Sequence, residues 1–148
     1  MEQDAFAVAE MIRNTYRECN MEEGSQEAIQ AYLDFFDPVD NLQNIKAKFA
    51  GSQIAFVAEE DVRIVGFVRG TMGRAFNLYV DSAFHGRGIG RELMTAFEKW
   101  ALGRGIKTVR VRSSLHAVPF YEKLGYKKTW GLPTKHGLRV QRMKKKIS

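Results

Sequence analysis

The stretch FHGRGIGREL, from Phe84 to Leu93, sets glycines at alternate positions, Gly86, Gly88 and Gly90, directly ahead of a helical pattern. Glycine weakens the interior of a regular element, so this density points to a geometric need. Upstream, Phe76, Leu78 and Val80 alternate as a strand does. Downstream, Ile89, Leu93, Phe97, Trp100 and Ala101 share one face of a helix over residues 88–102, which Gly103 and Gly105 end. The order is strand, glycine turn, helix. Successive N–H groups in such a turn face one concavity at a helix N-terminus, where phosphate oxygens bind without a side chain. Arg87 would add a direct charge. The stretch therefore predicts an anion site, with phosphate as its occupant.

Two common phosphate ligands fit poorly. The dinucleotide spacing G-x-G-x-x-G would need glycine at Arg91 or Leu93. The strand beyond ends on Arg110 and Arg112, with no acid for a ribose. A P-loop would need Gly-Lys-Ser/Thr, which does not occur. From this motif alone, a tight turn with no ligand stays open as the plain alternative.

Working outward, Val8, Met11, Ile12, Thr15, Tyr16 and Cys19 recur at helical spacing and predict a helix over residues 4–18. Ile29, Tyr32, Leu33 and Phe36 repeat the pattern. Asp37-Pro38 reads as the N-cap and first turn of a third helix, with Leu42, Ile45 and Phe49 buried and Gly51 just past its end. From Gln53 the pattern becomes β. Ile54, Phe56 and Ala58 alternate with Ala55 and Val57, and a turn at Glu60-Asp61 leads to a second strand over residues 63–70. Residues 107–112 predict a strand with Val109 and Val111 on one face. Ser114 reads as the cap of a helix carrying Val118, Tyr121 and Leu124 and ended by Gly125. Residues 126–130 and 138–147 predict two last strands. The whole predicts one mixed α/β (α+β) domain across residues 1–148.

Composition bounds the function. Of 148 residues, 45% are hydrophobic and 27% charged, an ordinary globular balance. No apolar run approaches a membrane span, and the N-terminal stretch does not read as a signal peptide. Cys19 is the single cysteine, which excludes an internal disulfide and a cysteine-based metal cluster and suggests a cytoplasmic setting. The net charge of +6 is uneven: residues 1–103 hold 10 Lys/Arg against 16 Asp/Glu, and residues 104–148 hold 13 against Glu122 alone. A basic C-terminal part suits an anionic ligand.

A second stretch narrows the ligand. SSLHAVPFYEKLGY, Ser113 to Tyr126, taken with VDSAFHGRGIGRELM upstream, resembles the GNAT superfamily of acetyl-coenzyme A-dependent N-acetyltransferases. The family signature Gln/Arg-x-x-Gly-x-Gly/Ala is met over residues 85–90 except that His85 stands first. The signature Asn-x-x-Ala-x-x-Phe/Leu-Tyr is met over residues 114–121 except that Ser114 stands for Asn, and Gly125-Tyr126 follows as the family's Gly-aromatic pair does. The resemblance implies a mostly antiparallel sheet with flanking helices. The family's usual first strand is missing or very short, because the first predicted helix begins within about five residues of Met1.

It also implies roles. Gly86, Arg87, Gly88, Ile89 and Gly90 would cradle the diphosphate of acetyl-coenzyme A, the co-substrate, with His85 beside them. Leu78, Tyr79 and Val80 would lie on a strand that splays from its neighbour and pair with the pantetheine arm, near Ser114. Tyr121 would be the general acid for the departing thiolate, because a phenol stays protonated at neutral pH. Backbone N–H groups near Val80 would meet the oxyanion. No metal is implied. The base is open among Glu59, Glu60, Asp81, His116 and a chain of waters.

The acceptor is expected to be a small-molecule or peptide amine. The acids Glu22, Glu23, Glu27, Asp34, Asp37 and Asp40 suggest a cationic one. A homodimer stays open, and neither a membrane nor a nucleic-acid partner is expected. A non-catalytic coenzyme A sensor and a basic nucleic-acid-binding module are the rival readings.

Overall fold

The computed structural model describes residues 2–130, 134, 135 and 137–148. After a single 3₁₀ turn at Glu2–Asp4, three helices come first: α1 (Ala5–Cys19), α2 (Gln26–Phe35) and α3 (Leu42–Ala50). Strands β1 (Ile54–Glu60), β2 (Arg63–Thr71) and β3 (Arg74–Val80) follow. Next come α4 (Ile89–Gly103), β4 (Thr108–Ser114) and α5 (Val118–Lys123). The chain ends in β5 (Lys127–Lys128), β6 (Thr134–Lys135) and β7 (Leu138–Lys146). Among the described residues no helix is long and apolar enough to cross a membrane.

The strands form one sheet in the order β1-β2-β3-β4-β7-β5, with β6 folded back on the start of β7. Every pairing is antiparallel except β3 with β4. The alternation in β1 serves two faces. Ile54, Phe56 and Ala58 pack with α4 and α5 around Phe97, and Ala55 and Val57 pack with α1 and α3 around Ile12, Ile45 and Phe67. Strand β2 is buried continuously from Val65 to Gly70, as a central strand covered on both sides must be.

Two details of β3 open the sheet. Phe67 pairs with Tyr79 and Arg69 pairs with Phe76, so Asn77 and Leu78 together oppose Val68 alone. Asn77 takes the left-handed conformation this bulge needs (φ 51°), and its Oδ1 accepts from Arg69 Nε at 2.7 Å. Beyond the bulge β3 has no partner on its other edge. It pairs with β4 only at Arg74–Arg110 and Ala75–Val111, while β4 continues along β7 to Ser114. The two parallel strands thus part into a notch whose walls are residues 76–80 and 112–114.

The sequence placed most elements within a residue or two; it did not anticipate the short β6, and three other elements differ. The third helix starts at Leu42, not at Asp37-Pro38. Asp37 Oδ1 accepts from Val39 N–H and its carbonyl from Asn41 N–H, so a turn forms before the helix can begin. The last helix starts at Val118. Ser114 is still the end of β4, and its hydroxyl closes the turn between them by accepting from Ala117 N–H at 3.2 Å. The first hairpin turns on Asp61 and Val62, both at positive φ, one residue later than Glu60-Asp61.

Candidate active site

A cleft of about 440 Å³ lies where the notch meets the start of α4. Leu78, Tyr79, Val80, His85, Gly86, Gly88, Ile89, Gly90, Ser114 and Tyr121 all line it. The structure therefore brings together every residue that the sequence assigned to the coenzyme or to the general acid except Arg87.

Gly86 and Gly88 both have φ of 80°, and a Cβ built on either meets nothing within 4 Å. They are glycines for conformation, and the space before them is open. The N–H groups of Gly86, Arg87 and Gly88 meet no acceptor among the described residues. Those of Ile89, Gly90 and Arg91 belong to the first turn of α4, where no earlier turn exists to accept them. Together they form a cup of donors at the positive end of a helix dipole, which fits a diphosphate. Gly90 serves packing instead, since a Cβ there would stand 3.0 Å from the Phe120 ring.

Arg87 turns the other way. Its Nη1 lies 3.3 Å from the Glu60 carboxylate and its guanidinium 4.9 Å over the Phe84 ring. The charged side chains on the cleft wall are Arg91 and Lys123. Arg91 sits in the quoted stretch and was legible as the first-turn cation of α4; Lys123 had no such signal. Among the described Lys and Arg residues after position 103, Lys123 is the one that lines this cleft. Arg110, Arg112, Arg142, Lys144 and Lys146 are exposed on β4 and β7.

His85 Nε2 donates to the Val80 carbonyl at 2.7 Å, tying the loop to the end of β3. The next N–H, of Asp81, donates to Val65 of β2. Because backbone groups alternate along a strand, the Val80 N–H faces the notch. The Ser114 oxygen accepts from Ala117, which leaves its hydroxyl proton for a ligand.

Tyr121 is buried (6% exposed), packed edge-on against Phe120 and Tyr126 at 5.1 and 5.5 Å. No group of the chain bonds its hydroxyl among the described residues. Burial pushes its pKa upward, so the phenol stays protonated.

Tyr121 also lines a second, larger cavity of about 620 Å³ on the far side of the notch. Leu78, Tyr79, Ser114 and Ala117 are shared by both. Its walls come from α1, α2, β3 and β7, with Lys48 of α3, Arg69 of β2 and Arg112 of β4. Tyr16 stacks on Tyr32 at 4.2 Å, and the Tyr32 and Tyr79 hydroxyls lie 2.6 Å apart. Glu23 is its one lining carboxylate among the described residues. Glu23 accepts from Asn20 Nδ2 at 2.9 Å and from His116 N–H at 2.7 Å. Glu22, Glu27, Asp34, Asp37 and Asp40 do not line it.

The candidate bases fare unequally. Glu60 is held by Arg87, and Asp81 caps the turn after β3 and pairs with Arg63. Glu59 is exposed, one residue before the end of β1. None of these three lines either cavity, whereas His116 lines the loop-side cleft. Glu23 was not among the candidate bases, because its place on the cavity wall depends on a contact with His116, 93 residues away.

Comparison with known proteins gives a consistent picture. Residues 20–147 match the acetyltransferase (GNAT) domain family. Over 99% of this chain and 92% of the other, the fold superposes on a GCN5-related N-acetyltransferase from Rhodopseudomonas palustris at 24% identity and a TM-score of 0.86. It superposes on the PaiA N-acetyltransferase from Thermoplasma acidophilum, solved with coenzyme A, at 21% identity and a TM-score of 0.73, covering 99% and 95% of the two chains. The aminoglycoside 6'-N-acetyltransferase from Enterococcus faecium matches at 21% identity and a TM-score of 0.69, over 96% and 89%.

Proposed function

This chain belongs to the GNAT acetyltransferase family, and on that premise we propose that it moves an acetyl group from acetyl-coenzyme A to a primary amine by direct attack. The observation that carries the reading is the meeting of two cavities at Tyr121, one faced with free loop amides and the other with aromatic and charged side chains. The co-substrate's diphosphate sits on the amides of residues 86–91. Its pantetheine arm follows residues 78–80 and the Ser114 hydroxyl, and its thioester reaches the junction.

The amine enters from the larger cavity. It must be neutral to attack, so its ammonium first gives up a proton. Glu23 is the carboxylate on that wall. Two of its oxygen lone pairs are engaged and two remain. The nitrogen bonds the carbonyl carbon, and the oxyanion accepts from Val80 N–H. The carbon–sulfur bond breaks, the thiolate takes the Tyr121 proton, and the surplus proton on the new amide nitrogen passes through water to restore the phenol. In water that transfer would run uphill by about 1.5 pK units, from a phenol near 10 to a thiol near 8.5. Tyr121 therefore acts first as a hydrogen-bond donor to sulfur, with transfer completed as the free thiol leaves.

Free-thiol release from acetyl-coenzyme A across a panel of amines tests this. Tyr121→Phe should lower kcat by about 10²-fold or more, the usual worth of a general acid, with KM for acetyl-coenzyme A nearly unchanged. Glu23→Gln should lower kcat/KM for the amine by about 10²-fold at neutral pH, with kcat/KM recovering as the pH approaches the amine's own pKa. Unchanged turnover in Tyr121→Phe would remove the acid assignment. Coenzyme A binding with no thiol release from any amine would favour the non-catalytic sensor.

A further inference from the structure

The larger cavity has an uneven charge. Lys48, Arg69, Arg112 and Arg139 line it against Glu23 alone among the described residues. None of the four cations is in an ion pair with a described acid, and Glu23 spends its bonds on Asn20 and His116.

Arg69 is the informative one. It is only 9% exposed, yet no carboxylate accompanies it. A buried charge is ordinarily matched by an opposite charge, because leaving water is costly. Its Nε donates to Asn77 at 2.7 Å and its Nη1 to Ser52 at 3.2 Å, while the guanidinium lies between the rings of Phe49 and Phe76. Nη2 bonds nothing among the described residues. Among the described residues no sealed side-chain polar atom lacks a partner, so Nη2 is open, and the cavity is where Arg69 opens. Lys48 lies beside it, its ammonium 5.0 Å over the Phe35 ring. Burial and the Arg69 charge both hold the Lys48 ammonium below its usual pKa. Two like charges thus share one cavity end with no anion between them.

The other end differs. Glu23 touches His116 of the loop-side cleft, so the acid stands at the junction where the amine must react. Arg139 adjoins Glu23 there, its backbone N–H donating to the Glu23 carbonyl at 2.7 Å, so the reacting end holds both signs, while the end of Arg69 and Lys48 holds positive charge alone among the described residues. Its aromatic walls and its volume of about 620 Å³ suit a small organic molecule.

Building on the transferase reading, we propose that the acceptor is an amine that also carries an anionic oxygen group, a carboxylate or a phosphate, bound by Arg69 Nη2 and Lys48 while its amine lies near Glu23 and Tyr121. A guanidinium edge and an ammonium side by side are the donors such a group needs. A purely cationic diamine would put its second charge against Arg69.

Matched probes test this: γ-aminobutyrate, its amide and putrescine, phenylalanine with phenylalaninamide, and phosphoethanolamine. Each is titrated calorimetrically into the protein saturated with coenzyme A, and each is assayed for thiol release with acetyl-coenzyme A. The anionic amines should bind at least tenfold tighter than the neutral or dicationic ones, and phosphoethanolamine against the carboxylates identifies the anion. Lys48→Gln, on the exposed rim, should lose most of that preference while coenzyme A affinity stays within twofold. Arg69→Lys, which keeps the charge but not the fork, should weaken the carboxylate amines. Equal or tighter binding of the amides or putrescine overturns the proposal, as does an unaltered preference in a folded Lys48→Gln. Thiol release without the anionic preference leaves the transferase reading standing and this one refuted. The anionic preference without thiol release supports the anion subsite and removes the transferase reading.

Discussion

Replacing Gly88 by alanine separates the two things that residue does. In the free protein its Cβ would meet nothing within 4 Å, so no clash contributes to stability. What remains is the left-handed backbone at φ 80°, which costs a residue with a Cβ about 1–2 kcal/mol. For a chain of this size that lowers Tm by roughly 2–8 °C. Binding should suffer separately. The open space before Gly88 is where the diphosphate would rest, so the new methyl displaces it from one or two loop amides. Each charged hydrogen bond lost is worth about 1.5–3 kcal/mol, so losing one should weaken coenzyme A binding about 10- to 150-fold, and losing a second should weaken it further. Calorimetry with coenzyme A, beside thermal unfolding of both proteins, measures the two effects. S-acetylpantetheine, which lacks the diphosphate, is the control and should serve both proteins equally. A Gly88→Ala protein that binds coenzyme A within twofold of the parent would refute the amide cup. An equal loss with S-acetylpantetheine would mean a distorted loop instead.

Two further outcomes test the fold. Val62 is 99% exposed yet sits at φ 61° in the first hairpin turn, a conformation that disfavours a β-branched residue. Val62→Asn should therefore stabilise the protein by about 1 kcal/mol, read as a higher denaturant midpoint with the slope unchanged; a lower midpoint would contradict the turn geometry. Burial also raises the pKa of all five tyrosines, Tyr16 to about 12. The native state then keeps protons that the unfolded chain releases near pH 10, so stability is full below that pH and falls as pH rises through the native values. At pH 11 each tyrosine disfavours folding by about 1.4 kcal/mol, roughly 7 kcal/mol together, which is comparable to a typical total stability. Circular dichroism should show unfolding near pH 11, with phenolate absorbance rising in step. Phenolate forming near pH 10 in a still-folded protein would refute the buried placement.

Legibility followed the range of the interactions. Helices α1, α2 and α4 and strands β1 to β4 were readable because apolar spacing reports local geometry. Gly86 and Gly88 were readable because a backbone that must turn left-handed selects glycine whatever surrounds it. Asp37-Pro38 misled because a capping residue is also a turn residue; here Asp37 bonds two residues on and sets a turn before α3. Arg87 misled because a side chain's direction depends on its neighbours, and Glu60 and Phe84 draw it off the cleft.

By themselves the residues determined the order of the elements, the amide-rich turn before α4 and the phenol at position 121, since each rests on contacts within one or two turns of chain. The tertiary structure alone decided that β3 and β4 part after Ala75 and Val111, that two cavities meet at Tyr121, and that Arg69 faces one of them with no counter-ion among the described residues. Those features arise where segments far apart in sequence converge, and a linear pattern holds no record of which charges will share a wall.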